Sequence, residues 1–157
     1  MRENSCSIYS SKVTDMIKLL KPIQDRHRNA KVVFYCNHFN TASSIFDGLD
    51  SAGIQYLHSY ISETSTIPNK QSLINTFASD SSHSVLVLDS SIPLEEYNLT
   101  WANHVILSEP LPTFAAEHSA IQNVYRSGQK QAVYVYQVFL SNTVEEKLSK
   151  IRDHSQI

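Results

Sequence analysis

The sequence predicts an α/β fold in which a parallel sheet carries helices on both faces. Two patterns lead to this prediction. Short, nearly continuous apolar runs alternate along the chain with stretches in which apolar residues recur at helical spacing. The apolar runs also lack the polar alternation of a half-exposed strand, as is typical of strands covered on both faces. With 157 residues, the chain is predicted to be a single domain over residues 1–157, with its core at about residues 11–150.

The first half of the chain is predicted to contain three helices and three strands. Val13, Ile17 and Leu20 form the apolar stripe of the first helix. In order, the elements are a helix capped by Ser10 or Ser11, a strand over 31–36, a helix capped by Asn40 or Thr41 and closed by Gly53, a strand over 54–60, a polar loop over 62–69, a helix over 71–77 and a strand over 85–88.

The second half is predicted to contribute two more strands and two helices. They are a strand over 105–107, a helix that runs to Arg126 and stops at Gly128, a strand over 132–140, and a last helix with a capping box at Thr143 and Glu146 and an apolar stripe at Val144, Leu148 and Ile151. Right-handed crossovers bring the loops after Cys36, Leu88 and Leu107 to one edge, at the carboxyl ends of the strands. That edge is therefore the expected site of chemistry.

Composition and charge restrict the class of protein. The net charge of −2 gives no overall basic field for a polyanion, so a nucleic-acid surface would have to be local. Two cysteines, Cys6 and Cys36, are too few for a disulfide framework and fit a reducing compartment. No apolar run reaches the roughly 20 residues of a membrane helix, and we expect no membrane partner. We interpret one basic group as a solvated helix face: Lys12, Lys18, Lys21, Arg26, Arg28 and Lys31.

The sequence lacks the common glycine-rich motifs of nucleotide-binding and hydrolytic enzymes. Its three glycines, Gly48, Gly53 and Gly128, form no phosphate loop, dinucleotide-binding turn or nucleophile elbow. Cys36 and His38 are close in sequence, but a tetrahedral metal site needs three or four ligands. We therefore predict no metal site.

The stretch over 119–140 carries the most informative pattern. Read as a helix, its first part has a polar arc that contains Ser119, Gln122, Asn123 and Arg126. The segments that follow read R-S-G-Q-K-Q-A-V-Y-V-Y and then N-T-V-E-E-K-L. A helix with a solvated arginine would explain the arc alone, but it would not explain the two segments.

These segments resemble the C-terminal lobe of the Swi/Snf-type helicase-like ATPases. That family's sixth motif reads Q-A-x-G-R-x-x-R-x-G-Q and is followed by K-x-x-x-V-Y and T-x-E-E. Arg126, Gly128 and Gln129 stand at its second Arg, its Gly and its final Gln. The similarity continues at Lys130, 133–136, Thr143, Glu145 and Glu146. Glu109-Pro110 and the spacing to Gly128 are most similar to the SHPRH-like branch, which carries an inserted RING finger.

The resemblance implies a three-layer RecA-like (P-loop NTPase-type) lobe, the second of the two lobes of a DNA-dependent ATPase. In that family the first lobe holds the phosphate loop and the Mg²⁺ carboxylates, and the second lobe supplies the opposite wall of the cleft and an arginine finger. The resemblance implies that Arg126 is catalytic. It implies two further sets, namely ATP-binding residues Glu117, Arg126, Gly128 and Gln129, and nucleic-acid-binding residues Lys12, Asn37, His38, Asn98 and Thr100.

The same resemblance sets the expected partners. ATP and Mg²⁺ are expected only together with the first lobe, supplied in cis or in trans, and neither is expected to bind this chain alone. Other expected partners are DNA, bound weakly, and further proteins, at chromatin in the nucleus.

Several positions depart from the family pattern. Ser119 replaces the motif's first Gln, and Asn123 replaces its first Arg, so a charged guanidinium is lost. The glycine-rich loop after the third strand is replaced by a stretch with Pro93, Leu94, Glu95 and Glu96, where glycine freedom is lost and acidic charge is added. From this loop we expect only millimolar or weaker ATP binding by the chain alone.

Three functions remain open from the sequence. The chain is a working half of a DNA-dependent ATPase with impaired chemistry, a pseudo-helicase lobe that acts as a protein–protein scaffold, or an unrelated α/β domain. The first lobe's phosphate loop would separate the first two, because an intact loop favours the ATPase.

Overall fold

The computed structural model describes residues 10–60, 70–90 and 98–154. In chain order its elements are α1 (Ser11–Arg26), β1 (Val32–Cys36), α2 (Phe39–Ala52), β2 (Tyr56–His58), α3 (Lys70–Ser79), β3 (Val85–Asp89), β4 (His104–Leu107), α4 (Phe114–Gln122), β5 (Tyr134–Gln137) and α5 (Val144–His154). The predicted alternation of helices and strands is confirmed. The predicted loop over 62–69 and the substituted stretch at Pro93–Glu96 lie outside the described residues.

The five strands form one sheet in the order β2-β3-β1-β4-β5, and every neighbouring pair is parallel. β1 lies at the centre, where Phe34 is in register with Val87 of β3 and with Ile106 of β4. The apolar runs of β1, β3 and β4 are buried almost throughout, as a sheet covered on both faces requires.

Alternate strand residues point to two separate cores. Val32, Phe34 and Cys36 pack with α1 and α2 on one face. Val33 and Tyr35 pack with α3 and α4 on the other face. This arrangement confirms the predicted three layers and follows from the period of two along a strand.

Two helices on the same face approach closely at Gly48 of α2. A Cβ atom at this position would lie 3.0 Å from Cγ1 of Ile17 and 3.3 Å from Cγ1 of Val13. A glycine therefore lets α1 and α2 pack against each other, and this packing buries the predicted stripe of α1.

Ser10 caps α1 as predicted, since its side chain accepts a hydrogen bond from the Val13 amide. The start of α2 differs from prediction. The helix begins at Phe39 with His38 at the N-cap, before the predicted caps Asn40 and Thr41. The His38 side chain makes no cap hydrogen bond. The amides of Asn37 and His38, just before the helix, donate to the carboxylate of the distant Glu109.

The end of α4 is the second difference. The helix stops at Gln122, before Arg126, and Gly128 is not its C-cap. The carbonyls of Asn123 and Val124 accept from the Leu99 amide and the Gln129 side chain. These carbonyls follow the last helical hydrogen bond, from the Tyr125 amide to the Ile121 carbonyl, and their donors come from outside the helix.

Two strands are shorter than predicted, and one stripe is exposed. β2 and β5 cover Tyr56–His58 and Tyr134–Gln137, inside the predicted ranges 54–60 and 132–140. Val144 and Leu148 of the predicted α5 stripe are 70% and 45% exposed. This face of α5 is therefore not part of either described core.

The basic N-terminal group is solvated only in part. Lys12 is 7% exposed. The Lys31 ammonium donates to the carbonyl of Phe77 in the last turn of α3 and to those of Asp80 and His83, which follow the helix. The interpretation as a solvated face is therefore wrong for Lys12 and Lys31. It is confirmed for the exposed helix members Lys18, Lys21 and Arg26, whereas Arg28 is exposed but lies in the turn after α1.

Cys36 ends β1 and is completely buried. The Ser108 hydroxyl donates to its Sγ at 3.0 Å, and burial raises the pKa of Cys36 to about 12. Among the described helices, none is both long enough and apolar enough to cross a bilayer.

Candidate functional site

The turn that carries Arg126 is held by backbone geometry. The Tyr125 amide donates to the Ile121 carbonyl at 2.8 Å, and the Gln129 amide donates to the Arg126 carbonyl at 3.0 Å. Gly128 has a φ of 100°, a conformation that side chains with a Cβ rarely adopt. These contacts fold residues 123–129 back against the body of the domain.

Gln129 fixes this turn from inside. Its amide nitrogen donates to the carbonyls of Ala102 at 2.8 Å and Val124 at 3.1 Å, and its side-chain oxygen accepts from the Gln131 amide. Both hydrogens of the amide group are thus used by the chain's own backbone. The contacts assign Gln129 to positioning the turn, and they leave no amide hydrogen for the predicted contact with ATP.

A cavity of about 430 Å³ opens beside the turn. It is lined by Ser119, Gln122, Asn123, Tyr125, Arg126 and Ser127. The four polar-arc residues predicted from the helical pattern therefore line one cavity. Arg126 is exposed and is the charged member of the lining among the residues that the structure describes, so an anionic group there would meet its guanidinium.

Asn123, where the resembled family has an arginine, forms the buried part of this cavity. The residue is 4% exposed, and its side-chain Nδ2 has no hydrogen-bond partner in the described part of the chain. A buried unsatisfied donor costs about 1–3 kcal/mol, so an acceptor atom from a ligand would gain this contact. The cavity can thus bind an anionic oxygen through the Asn123 amide and the Arg126 guanidinium. It offers one positive charge where the resembled family's motif offers two.

The cavity lies at a different edge from the one predicted. Gln129 binds the Ala102 carbonyl, and the Tyr134 amide binds the Asn103 carbonyl, directly before β4. The Arg126 turn therefore lies near the amino ends of β4 and β5. The prediction that the chemistry lies at the carboxyl ends of the strands is wrong for Arg126, because α4 runs back along the sheet before the turn begins.

The structure brings part of the predicted nucleic-acid set to the same place. The Leu99 amide donates to the Asn123 carbonyl at 2.9 Å, so the segment with Asn98 and Thr100 lies against the turn. The Thr100 amide also donates to the Asn98 side chain at 3.3 Å. The turn and the 98–100 segment thus form one surface.

Asn37 and His38 lie elsewhere, at the carboxyl ends of β1 and β4. Both of their amides donate to Oε2 of Glu109, at 2.9 and 3.2 Å, and the Thr41 hydroxyl donates to Oε1. Nδ1 of His38 is also 3.1 Å from Oε2. A carboxylate of the protein occupies the position where these amides would otherwise meet a phosphate oxygen.

Sequence reasoning missed this role of Glu109. Burial raises the pKa of the carboxyl group, but the hydrogen bonds from Thr41, Asn37 and His38 outweigh it, so the pKa lies below its ordinary value. An acidic residue two positions after a buried strand, at the edge where the strands end, was the available signal.

Lys12 is engaged in the fold. Its Nζ lies 2.8 Å from both carboxylate oxygens of Glu145, and this pair joins α1 to α5. With 7% exposure, the ammonium is not available as a cation on the surface. In this structure a carboxylate of the fold holds the Lys12 ammonium, and a phosphate contact of Lys12 stays a prediction.

Glu117 lies in the first turn of α4, where its carboxylate oxygens are 3.4 Å from the Gln137 side-chain nitrogen. Gln137 ends β5 at the carboxyl side, so Glu117 and Arg126 lie at opposite ends of α4. The structure does not bring these two predicted ATP-binding residues together.

The residues present fit one wall of an ATP site and do not fit a Mg²⁺ site. The cavity offers a guanidinium and an unpartnered amide donor to an anionic oxygen, while its lining includes no carboxylate that could ligate Mg²⁺. No group of three or more His, Cys, Asp and Glu side chains in the described ranges is placed to hold a metal ion.

The sheet order, the three layers and the arginine turn define the class of the domain. It is a RecA-like helicase C-terminal lobe, and solved structures share this fold. The C-terminal part of the Fun30 ATPase domain matches with a TM-score of 0.83 and 21% identity, over 95% of this chain and 47% of that one. The Hef helicase domain of Pyrococcus furiosus matches with a TM-score of 0.71 and 19% identity, over 90% of this chain and 28% of that one.

Proteins with similar sequences support one superfamily among the helicase-like proteins. The chain is 27% identical over 146 residues to the DNA repair protein rad8 of Schizosaccharomyces pombe, and 30% identical over 155 residues to the DNA repair protein rhp54 of the same organism. It is also 27% identical over 142 residues to the DNA repair and recombination protein RAD54B of Gallus gallus. No protein-family model matches.

These matches cover 93%, 98% and 90% of this chain, but only 13%, 18% and 15% of the respective relatives. The relatives are Swi/Snf-type helicase-like proteins, and at this low identity they support that superfamily. The chain thus corresponds to a small part of much longer proteins.

Proposed function

We propose that this chain is the second lobe of a Swi/Snf-type DNA-dependent ATPase, acting in the nucleus on DNA, with impaired catalysis. In this function Arg126 is the arginine finger that completes an ATP site formed with the first lobe. The observation that carries the proposal is the Arg126 turn, which presents one guanidinium beside a cavity without acidic residues.

The residues of this chain would act by position and charge. The first lobe would hold ATP and Mg²⁺, and ATP would supply the phosphoryl group. Arg126 would stabilise negative charge at that group, which is worth about 10³–10⁵ in rate in well-studied cases. Gln129 and Gly128 would hold the turn in place, and the Nδ2 atom of Asn123 would donate one neutral hydrogen bond.

Impairment follows from the substitution at Asn123. A carboxamide carries no charge and lacks the forked guanidinium that binds phosphate oxygens in pairs. The transition state would therefore meet one cation from this lobe where the family pattern supplies two. We place the chain in the superfamily and leave the SHPRH-like branch as a proposal based on Glu109-Pro110 and the spacing to Gly128.

A second candidate function is a protein–protein scaffold without ATPase activity. Two observations favour it, because Glu109 occupies the amides of Asn37 and His38, and Glu145 occupies Lys12. In an active lobe these amides and this ammonium would contact DNA, whereas here they contact carboxylates of the same chain.

The test compares the lobe alone with the lobe joined to the first lobe of its parent gene, in a phosphate-release assay with and without DNA. We expect no turnover from the lobe alone, since nothing in it would orient the γ-phosphate. For the joined protein we expect slow, DNA-dependent turnover that Arg126→Ala lowers by about 10³-fold or more. Arg26→Ala, which removes another exposed arginine, should leave the rate unchanged.

The outcomes separate the two candidates. Loss of turnover in Arg126→Ala and not in Arg26→Ala supports the ATPase. A joined protein with an intact phosphate loop and no turnover supports the scaffold. Turnover by the lobe alone that disappears in Arg126→Ala would contradict both.

A further inference from the structure

A second cavity, of about 460 Å³, opens at the amino ends of β1, β4 and β5. His27, Asn29, Asn103, Gln131 and Tyr134 are among its lining residues, and none of them lines the Arg126 cavity. The proposed ATPase function makes no use of this site.

An aromatic stack forms one side of this cavity. The ring of His104 is stacked on Tyr134, with centroids 5.1 Å apart and planes at 15°, and on Tyr136 at 5.9 Å and 15°. His104 is 3% exposed, so it covers one face of the Tyr134 ring from inside. Tyr134 is 46% exposed and lines the cavity, which leaves its other face for a second planar group.

The stack is uncharged at neutral pH. Burial, and then the nearby His27, lower the pKa of His104. Its Nε2 atom is buried and has no hydrogen-bond partner in the described residues. The His27 ring, which lines the cavity, lies 6.1 Å from the His104 ring. A neutral aromatic surface of this kind favours stacking of a flat ring over binding of a bare anion.

Three carboxamides surround the stack. Asn29, Asn103 and Gln131 line the cavity. Asn103 is 7% exposed, and the part of it that is not covered faces this cavity. A carboxamide offers one acceptor and two donors, which is the pattern that pairs with the edge of a nucleobase. An apolar ring in this position would leave the buried Asn103 group unsatisfied.

The surroundings of the cavity are basic. Arg28 and Lys130 are exposed and adjoin the lining residues Asn29 and Gln131 in sequence. The lining itself contains no acidic residue. Cations beside a stacking surface are the combination that binds single-stranded nucleic acid without strong sequence preference.

From these observations, we infer that the cavity binds an unpaired nucleobase, which stacks on Tyr134 and is held at its edge by Asn29, Asn103 and Gln131. Arg28 and Lys130 attract the phosphates beside that base. The base belongs to a single strand of nucleic acid or to a free nucleotide, since both present the same chemistry.

The experiment measures fluorescence anisotropy with a labelled single strand of deoxyadenosine and with an abasic strand of the same length and charge. We expect the base-containing strand to bind about tenfold more tightly, the amount that stacking on one aromatic ring typically contributes. Tyr134→Ala should abolish this difference, and Tyr134→Phe should retain it. Phe114→Ala, which removes another exposed aromatic ring, is the matched control and should leave it unchanged.

Two further variants test the contacts to the base edge and to the phosphates without changing the Tyr134 ring. Asn29→Ala removes an exposed carboxamide and should weaken the base-containing strand several-fold while leaving the abasic strand unaffected. Arg28→Ala should weaken both strands equally and reduce the salt dependence. Thermal unfolding of each variant checks that its fold is kept.

The results decide between the possibilities. Equal binding of the two strands, or binding of neither, would overturn the inference. So would a difference between the strands that survives Tyr134→Ala. If adenosine monophosphate competes as tightly as the strand binds, one base with its phosphate suffices and a free nucleotide fits the site. If it fails and the strand binds, the source is a strand with flanking phosphates. Neither result depends on ATP hydrolysis, so this inference and the proposed ATPase can fail separately.

Discussion

Gln129 directs its carboxamide towards the backbone of its own chain. The amide nitrogen binds two carbonyls from different segments, and the oxygen binds the Gln131 amide. The family pattern placed Gln129 at the nucleotide, and pattern matching has no means of distinguishing a residue that touches a ligand from one that holds the turn beside it. The position was identifiable from sequence, and its contacts required the structure.

We expect Gln129→Leu to lower the free energy of unfolding by about 1–3 kcal/mol, because the carbonyls of Ala102 and Val124 lose their donor. Urea denaturation followed by circular dichroism would measure this. The same change at the exposed Gln122 is the control and should fall within about 0.5 kcal/mol of the original protein. Equal effects at the two positions would contradict the positioning role.

Glu109 should make stability depend on pH in the acid range. Its folded pKa lies below the ordinary 4.5, so its contribution is fully present above that ordinary value and is lost as pH falls through the lower folded pKa. The advantage of the original protein over Glu109→Gln should therefore be large at neutral pH and shrink below about pH 4.5. Urea midpoints measured across this range test it, with Asp25→Asn as the exposed control. An advantage that grows on acidification would refute the assignment.

At the scale of elements, α4 shows where periodicity stops being informative. The apolar residues Ala120 and Val124 keep helical spacing and are both buried, yet the helix ends at Gln122 between them. Directly after the helix, the Asn123 carbonyl accepts from the Leu99 amide, and the Val124 carbonyl accepts from the Gln129 side chain, and neither contact shows in the helical periodicity. The buried strands β1, β3 and β4 were predictable because a strand covered on both faces has apolar residues at nearly every position.

The contact between α1 and α5 could not be predicted from the sequence either, since Lys12 and Glu145 are 133 residues apart. Lys12→Met should lower the free energy of unfolding by about 3 kcal/mol, because it leaves a partly buried carboxylate without its cation. Lys150→Met removes the exposed partner of Glu146 on the same helix and should change stability much less, because solvent screens this pair. A double variant, Lys12→Met with Glu145→Leu, should recover part of the loss. If both lysine variants behave alike, the pair does not anchor α5.

At the scale of the whole molecule, few cations remain for duplex DNA. With Lys12 paired inside the fold, Arg126 and Lys130 are the exposed cations closest in sequence to the surface formed by the turn and the 98–100 segment. We expect weak duplex binding with a shallow salt dependence, corresponding to about three or fewer neutralised phosphates.

Fluorescence anisotropy of a labelled duplex over a salt series measures this slope. Lys130→Ala should reduce the slope by about one contact, and Lys18→Ala, on the exposed face of α1, should leave it unchanged. A slope that implies many more contacts would mean that the exposed lysines and arginines of α1 form a DNA surface, and the scaffold function would then lose its support.

The labelling rate of the Cys36 thiol can report how often the folded domain opens. This thiol is completely buried at the end of the central strand, with its pKa raised to about 12, so a maleimide reagent cannot react with it until the sheet opens. In a Cys6→Ser variant, the labelling rate of Cys36 would therefore report the free energy of opening under native conditions. Any ligand that binds only the folded lobe should slow this labelling by a factor of 1 + L/Kd, where L is the free ligand concentration. The two cavities could thus be screened by mass spectrometry without an activity assay, and labelling as fast as that of a free thiol would show that the central strand opens on its own.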